Sequence, residues 1–434
     1  MSMRSWAKYA RVTLAGALLA SAVGVSGAPM VAAQEETDCS AIAGGVQLPE
    51  VVDGKFNVAM VLIGPKNDGG WSEAHFNGLV HMCENVDNIH VAYMENVAEG
   101  GDSEQVFRSL ARKGFDFIIG TSFGYMDPME IVAEDFPDST FLHLTGYKSN
   151  FDNFGNFFGA MEDIKYLAGM LAGSRAKVDG NPKIGYMATF PIPEEIRLGN
   201  AIMLGAKQTC PECTMDVRWI NTWHDPTLER EGAASLFDAG SQVVFTGADT
   251  PAVAQVAEEK GKWGVTYDHP GSCALDACLT APYWVWGPEY ARIAEQVRDG
   301  TYEAGYEYFD ADAGAMGLYG FMEGETPQPG IADLPEEDVQ LVKDTLAAML
   351  AGEFTRFDVF AGRSWTTRAT SSSRKASSSS RPTLTSSPTR TAPTAAPACT
   401  GGQRASRPPC RNEPIAETPG TRLEPAFPGF CTSV

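Results

Sequence analysis

Short apolar runs alternate with amphipathic segments along most of this chain, and that alternation limits the fold more than any other feature. The first series starts with the run Phe56–Ile63 and continues through HVAYM, FDFIIGTS and TFLHLT. Amphipathic segments near residues 73–83, 103–113 and 127–135 separate these runs. The resulting βαβαβαβ order predicts a parallel sheet with helices on both faces.

A second series of the same kind follows the run Phe157–Met161. It passes through KIGYMA, DVRWI, QVVFTG and WGVTYD, with amphipathic segments near residues 194–208, 227–238 and 252–260. Two tandem units of this kind predict an α/β protein with two Rossmann-like lobes, a hinge and an interlobe cleft. Ligands of such sheets bind at the carboxyl ends of the strands, and facing lobes suit a binding protein that closes about a hinge.

We assign the first lobe to residues 54–157 plus 283–305, and the second lobe to residues 158–282 plus 306–350.

Charge is distributed unevenly along the chain. Residues 34–362 contain 52 acidic and 20 basic side chains, whereas the net charge of the whole chain is −22. Such an acidic segment argues against a nucleic-acid-binding surface, which needs a basic patch.

Residues 1–33 have the pattern of a secretory signal peptide. Three basic residues precede the apolar run Val12–Val25, and a Val-Ala-Ala sequence ends the segment before the expected cleavage point. A membrane anchor is the alternative, but the run is shorter than the about 20 residues of a transmembrane helix. Cys39 follows no lipobox, so we expect an exported protein without a lipid anchor.

Residues 363–434 differ in composition from the rest of the chain. Ser and Thr make up 24 of these 72 residues, and ten basic side chains face three acidic ones. Such a segment cannot build a core and is predicted to be disordered, with a solvated interaction tail as the alternative. A sharper hypothesis is a frameshift. With codons read one base earlier, SWTTRATSSSRK can encode Met-Asp-Asn-Glu-Gly-Asn-Val-Val-Val-Glu-Glu, a turn followed by a β-rich run.

The cysteines predict disulfides, because an exported protein can keep them oxidised. A four-cysteine zinc site and free thiols are the alternatives, although C-x2-C with C-x4-C fits zinc loosely. We favour disulfides, and we expect no metal site and no cofactor. The candidate pairs are Cys39 with Cys83, Cys210 with Cys213, and Cys273 with Cys278.

The end of the first predicted strand is a candidate ligand site. Asp68, Gly70 and Trp71 lie there, at the start of a helix, within IGPKNDGGWSEAHFNG. Glycines let a ligand approach the backbone, the helix N-terminus supplies donors, and Trp71 offers a stacking face. The alternative is a capped helix with a surface tryptophan.

Motifs along residues 55–362 resemble those of the basic membrane protein family of ABC-transporter solute receptors, which is related to the purine nucleoside receptors. In order they are NDGGWSEAHFNG, GTSFGYMDP, YLAGMLAG, FPIPEEIRLGNA, WINTWHDPTLERE, GADTPAVAQVAEEKG and APYWVWGPEY. The resemblance implies a type I periplasmic binding protein-like fold. It also implies a periplasmic monomer that binds a small molecule and has an ABC permease of the inner membrane as its partner.

The nucleoside receptors hold a purine between two aromatic side chains, one from each lobe. Asp68 and Trp71 match the segment after the first strand, as a polar contact and the first stacking face. Trp223, which precedes a His-Asp-Pro sequence, matches the second face, although it could instead be a core residue paired with Trp219. Stacking on an indole is worth about 1–3 kcal/mol per base.

Further candidates follow other strand ends or lie one helical turn from Trp71 on the same face. The carboxylates Asp127 and Asp249 could instead be helix caps. These candidates are His75, Phe123, Asp127, Phe190, Asp249 and Asp268.

Two positions depart from the nucleoside-receptor pattern. Thr266 stands where those receptors usually carry a carboxylate, and Trp284 or Trp286 lies near the place of a hinge lysine. Ribose recognition is therefore in doubt, and a free purine base or another flat heteroaromatic becomes an option. Trp284 joins the candidate ligand residues.

The sequence thus predicts the periplasmic solute-binding protein of an ABC transporter, without enzymatic activity, for a purine nucleoside or base. A sensory ligand-binding protein for another flat heteroaromatic is one alternative. A nucleoside-processing enzyme is another, but no strand leads into a G-x-G-x-x-G, a P-loop or a G-x-S-x-G motif. His224 and Asp225 could do acid–base work, but nothing beside them supplies a nucleophile.

Overall fold

The computed structural model describes Cys39 and residues 41–362. The signal peptide predicted for residues 1–33 and the tail predicted for residues 363–434 lie outside the described residues. None of the helices in the described part is long and apolar enough to cross a bilayer.

The first lobe is built on a parallel sheet of seven described strands. Their spatial order is β1-β3-β2-β4-β5-β6-β13. The central strands are buried on both faces, which is why they appear in the sequence as continuous apolar runs. The strands are β1 (Ala43–Gly45), β2 (Phe56–Val61), β3 (Ile89–Met94), β4 (Phe117–Gly120), β5 (Thr140–Leu144), β6 (Phe154–Gly159) and β13 (Tyr306–Phe309).

Helices cover this first sheet. The last of them packs against the first, although some two hundred residues separate the two in the chain. The helices are α1 (Trp71–Asn85), α2 (Gly101–Lys113), α3 (Met126–Asp135) and α8 (Gly287–Arg298).

The second lobe contains a parallel sheet of five described strands in the order β11-β10-β9-β7-β8. The strands are β7 (Lys183–Ala188), β8 (Thr214–Trp219), β9 (Val243–Thr246), β10 (Trp263–Val265) and β11 (Cys278–Thr280). The helices are α4 (Met161–Val178), α5 (Pro193–Thr209), α6 (Pro226–Asp238), α7 (Ala252–Lys260), α9 (Glu336–Leu350) and α10 (Arg356–Phe360).

Helix α4 is buried on all sides, since every residue from Met161 to Ala176 is buried. Glycines let it approach α5 closely. A Cβ at Gly169 would lie 2.2 Å from the carbonyl oxygen of Ile202, and a Cβ at Gly205 would lie 1.9 Å from that of Tyr166. The YLAGMLAG motif therefore serves helix packing.

The chain passes between the lobes through a small antiparallel sheet. Strand β12 (Pro282–Trp284) pairs with β14 (Met316–Leu318), and these two strands lie where the chain crosses between the lobes. One assigned boundary changes here: residues 306–309 were assigned to the second lobe, but β13 pairs in register with β6 and completes the first sheet. The run Tyr306–Phe309 is half-exposed at the sheet edge, so it carries a weak strand signal.

The structure joins the six cysteines of the middle segment as Cys39–Cys83, Cys210–Cys213 and Cys273–Cys278. The first pair ties the segment before β1 to helix α1, and the second closes the turn between α5 and β8. The third closes the turn before β11. The predicted α/β architecture of two Rossmann-like lobes is confirmed, and each predicted helix and strand segment overlaps an observed element.

Candidate functional site

A cavity that is partly open to solvent lies between the lobes. Its walls come from residues at the carboxyl ends of strands in both sheets, as expected for doubly wound folds. The lining residues are Ile63, Trp71, Ser122, Phe123, Thr145, Glu194, Glu195, Trp223, Gly247, Asp249, Tyr267 and Asp268.

Trp71 is held rigidly in the wall of the first lobe. Its indole N–H donates to the carbonyl oxygen of Thr121 at 2.6 Å. Its ring meets His75, Trp284 and Trp286 edge-on at centroid distances of 4.2, 6.4 and 6.0 Å. Only 8% of the residue is exposed, so the indole is oriented by packing before any ligand arrives.

Trp223 is held by a contact between the lobes. Its indole N–H donates to Oε1 of Glu99 at 3.2 Å, and its ring lies 4.9 Å from that of Phe190. Glu99 belongs to the first lobe and also accepts from the hydroxyl of Ser122 and the backbone N–H of Gly124. The second tryptophan of the cavity is therefore positioned by a carboxylate of the opposite lobe.

Two adjacent glutamates at the start of α5 line the second-lobe wall. Glu195 is buried and accepts from the Tyr186 hydroxyl and the Thr189 backbone N–H, both at 2.9 Å. Glu194 is half-buried, and desolvation together with the charge of Glu195 raises its pKa to about 8. A hydrogen-bond donor on a ligand would therefore stabilise the ionised form of this carboxyl group.

Asp268 is the third acidic group of this wall. It is 1% exposed, adopts a φ of 69°, and accepts from the indole N–H of Trp284 at 3.0 Å. Burial raises the pKa of Asp268 well above its usual value, while the charge of Lys165 acts in the opposite direction.

Lys165 is fully buried near these carboxylates. Its Nζ donates to the carbonyl oxygen of Thr246 at 3.0 Å and lies 3.3 Å from the centre of the Tyr267 ring. Burial lowers its pKa to about 8, and the charges of Asp268 and Glu195 partly offset that effect. A buried cation therefore compensates part of the acidity of the wall.

Two cavity-lining hydroxyls have no hydrogen-bond partner among the described residues, Thr145 Oγ1 and Tyr267 OH. Buried polar atoms are nearly always paired, and leaving one unpaired costs about 1–3 kcal/mol. A polar molecule that reached these hydroxyls would supply the missing hydrogen bonds.

Five of the residues predicted from the sequence line this cavity: Trp71, Phe123, Trp223, Asp249 and Asp268. Burial raises the pKa of Asp249 well above its usual value, and the neighbouring carboxylates of Asp68 and Asp268 add to the shift.

Two further predicted residues lie at the edge of the site and have structural contacts. Asp68 caps α1, because its carboxylate accepts from the backbone N–H groups of Gly70, Ser72 and Glu73 at 2.8–3.0 Å. Gly70 touches the opposite lobe, since a Cβ there would lie 2.0 Å from the carbonyl oxygen of Asp249. Its missing side chain permits lobe contact.

The remaining four predicted residues also lie outside the cavity lining. His75 is fully buried and pairs with the Tyr290 hydroxyl at 2.6 Å, and burial lowers its pKa well below the usual value. Asp127 is exposed and forms an ion pair with Lys148 at 2.9 Å. The other two stand behind lining residues, Phe190 behind Trp223 and Trp284 behind Asp268.

Sequence reasoning missed several residues of the site. Glu194 and Glu195 follow strand β7 within the FPIPEE sequence, so the rule that ligands bind at strand ends could have found them. Tyr267 directly precedes Asp268 and could have been found in the same way. Glu99 and Lys165 carry no such signal, because a loop and a buried helix bring them there.

Residues 55–336 match the family model described as "ABC transporter substrate-binding protein PnrA-like", named Bmp. The chain belongs to this family. The recognition made from the ordered motifs is therefore confirmed.

Two curated relatives support the assignment. A protein of Haloferax volcanii, whose name provisionally assigns it to an ABC transporter as a glucose-binding protein, is 40% identical over 67% of this chain and 70% of its own length. A purine-binding protein of Brucella abortus is 34% identical over 70% of this chain and 83% of its own length. These names give the relatives different ligands.

A solved ABC transporter solute-binding protein from Aeropyrum pernix K1 shares the fold, with a TM-score of 0.59 and 16% identity over 71% of this chain and 98% of that one. This Bmp family protein is thus an ABC transporter substrate-binding protein. Proteins of this kind typically act outside the cytoplasm, bind small molecules and deliver them to a membrane permease, and both curated relatives above are named as binding proteins.

Proposed function

We propose that this Bmp family protein binds a purine base or nucleoside in the periplasm and delivers it, as a monomer, to an ABC permease without chemical change. The observation that carries the proposal is that Trp71 of one lobe and Trp223 of the other line the same cavity. A purine has two π faces, and stacking of a base on an aromatic side chain is worth about 1–3 kcal/mol.

The acidic side of the cavity supports a ligand with several N–H donors. Glu194, Glu195 and Asp268 offer carboxyl oxygens, which accept hydrogen bonds from amine and ring N–H groups. Purine bases carry such donors along their edges. The purine-binding name of the Brucella abortus relative agrees with this chemistry.

A free base suits the site better than a nucleoside. Thr266 stands where the nucleoside receptors usually have a carboxylate, and here it is fully buried, with its hydroxyl 3.4 Å from the sulfur of Cys278. It does not line the cavity, so it supplies no contact for a ribose hydroxyl. We expect bases to bind more tightly than the corresponding nucleosides.

A sugar is the second candidate. Hydroxyl groups can also donate to the carboxylates of the second lobe, and a tryptophan face can cover the apolar side of a sugar ring. The name of the Haloferax volcanii relative favours this ligand. The two candidates differ in that a sugar needs many hydroxyl contacts, whereas a purine needs both aromatic walls.

Isothermal titration calorimetry tests the choice directly. The protein is first unfolded and refolded to remove ligand carried through purification, which is identified by mass spectrometry. Adenine, adenosine, guanosine and glucose are then titrated separately. Binding of adenine with at least tenfold higher affinity than glucose supports the proposal. Binding of glucose alone, or of no purine at all, would reject it.

A further inference from the structure

Three side chains with metal-ligating atoms meet where the two lobes touch. One such atom from each of Asp68, His224 and Asp249 lies within 4.8 Å of the others. Asp68 lies between β2 and α1 in the first lobe, whereas His224 follows β8 and Asp249 follows β9 in the second. The cluster is therefore shared between the lobes, and only Asp249 also lines the cavity.

Two atoms of this cluster have no partner. Nδ1 of His224 and Oδ2 of Asp249 are buried without a hydrogen bond to any described residue. Asp249 itself is only 4% exposed. Because an unpaired buried polar atom is costly, two of them on adjacent side chains point to a bound partner at this place.

The backbone brings the three residues together without a side chain in the way. A Cβ at Gly64 would lie 3.4 Å from Oδ2 of Asp68 and 3.7 Å from Cγ of His224, so both side chains pack over this glycine. The carboxylate of Asp68 is already oriented by the backbone N–H groups that it caps. Each carboxylate oxygen keeps a lone pair beyond those bonds.

Further acidic side chains lie near the cluster. The carboxylates of Glu229 and Asp268 act on Asp249 in addition to that of Asp68. Within the described part of the chain, neither Asp68 nor Asp249 forms a salt bridge with a lysine or arginine. A cation bound here would therefore serve as the counter-ion that these two acidic side chains lack.

We propose that Asp68, His224 and Asp249 bind a zinc-class divalent ion that bridges the two lobes. One imidazole nitrogen with two carboxylate oxygens is a donor set that zinc accepts, with a fourth position left for water. Calcium and magnesium prefer oxygen ligands throughout. Metal–ligand distances near 2.1 Å place the donor atoms about 3.4 Å apart, so the side chains draw together on binding.

The ion would favour the closed arrangement of the lobes, because the donors come from both. By thermodynamic linkage, an ion that binds the closed form better also raises the affinity for any ligand that needs closure. This inference concerns a site next to the cavity and does not depend on the identity of the transported solute.

Calorimetry with zinc chloride alone tests the proposal. The full chain is treated with EDTA, dialysed into 0.15 M salt to screen attraction by the acidic surface, and titrated without any purine. We expect one zinc ion per chain. His224→Ala and Asp68→Asn should each weaken zinc binding at least tenfold, and asparagine still caps the helix.

His90→Ala is the matched control, since it removes a histidine whose side chain bonds to the Glu50 carbonyl at the surface of the first lobe. Melting temperatures of all variants show whether each has folded. Equal zinc affinity in the wild type and His224→Ala would overturn the site, because the acidic surface alone would then account for binding. Unchanged affinity in Asp68→Asn would overturn the bridging role.

Discussion

The two lobes build the walls of one cavity from different chemistry. The first lobe contributes uncharged side chains, among them Trp71, Phe123 and Thr145. The second lobe contributes the acidic ones, which are Glu194, Glu195, Asp249 and Asp268. The first wall is also fixed mainly by ring packing, whereas the second is fixed by hydrogen bonds and a buried lysine.

This difference suggests a division of roles between the walls. Ring packing orients a flat face with little loss of stability, because aromatic side chains gain from burial. Buried carboxyl groups are costly unless they are paired, so the second wall gains most when a ligand supplies donors. We infer that the first lobe selects ligands by their flat shape, and that the second lobe selects them by the arrangement of their polar groups.

The largest effect should come from the two tryptophans. Trp71→Ala removes a nearly buried indole from an aromatic cluster and should lower the free energy of unfolding by about 3–5 kcal/mol. Trp223→Ala should cost less, because Trp223 is half-buried and contacts mainly Phe190 and Glu99. Both should weaken purine binding by about 1–3 kcal/mol.

Denaturant unfolding and calorimetry measure these two effects separately. Trp219→Ala is the matched control, since Trp219 is a half-buried tryptophan of the second lobe that does not line the cavity. It should leave ligand affinity unchanged. Full affinity in either Trp71→Ala or Trp223→Ala would remove that residue from the proposed clamp.

The next effect concerns the buried lysine of the acidic wall. Lys165→Met should lower the free energy of unfolding by about 1–3 kcal/mol, because the Thr246 carbonyl loses its donor. Asp268 and Glu195 also lose a compensating charge.

Lys260→Met provides the control for this experiment, since Lys260 forms an exposed ion pair with Asp238. Removing an exposed pair of this kind changes stability by about 0–1 kcal/mol. A Lys165→Met variant that melts like Lys260→Met would show that the acidic wall does not need its cation.

The two walls also differ in how much of their structure could be predicted from the sequence. The parallel strands and their helices could be predicted from the alternation of apolar runs with amphipathic segments. The family could be predicted from the order of the motifs. Trp71 and Trp223, which line the cavity, could be selected as candidates because aromatic residues beside glycines or after strand ends stand out. Asp127 was misplaced because a carboxylate before a proline looks the same whether it faces a cleft or, as here, a surface lysine.

Other residues could not be predicted because their roles depend on tertiary contacts. His75 lies on the same helix face as Trp71, but its ring stacks on Trp286 in the aromatic core and does not reach the cavity. Lys165 reaches the acidic wall from the second turn of a buried helix, where lysine is rare. The proximity of Asp68 to His224 arises only when the lobes meet, and 156 positions separate the two residues in the chain.

The smallest effect is a pH dependence that originates in the second wall. Burial and the charge of Glu195 raise the pKa of Glu194 from 4.5 to about 8, so the native protein keeps a proton that the unfolded chain releases above about pH 4.5. Stability contributed by that proton is therefore lost as the pH rises from about 4.5 to about 8. Because Glu194 is only half-buried, water screens the effect.

The protein without ligand should accordingly melt at a higher temperature at pH 5.5 than at pH 8, as thermal denaturation can measure. Glu194→Gln removes the titrating group and should reduce this difference, whereas Glu353→Gln, which changes an exposed carboxylate, should not. A bound purine that donates to Glu194 stabilises its ionised form, so ligand should flatten the profile as well. An unchanged pH difference in Glu194→Gln would mean that the acidity of the wall resides in its other carboxyl groups.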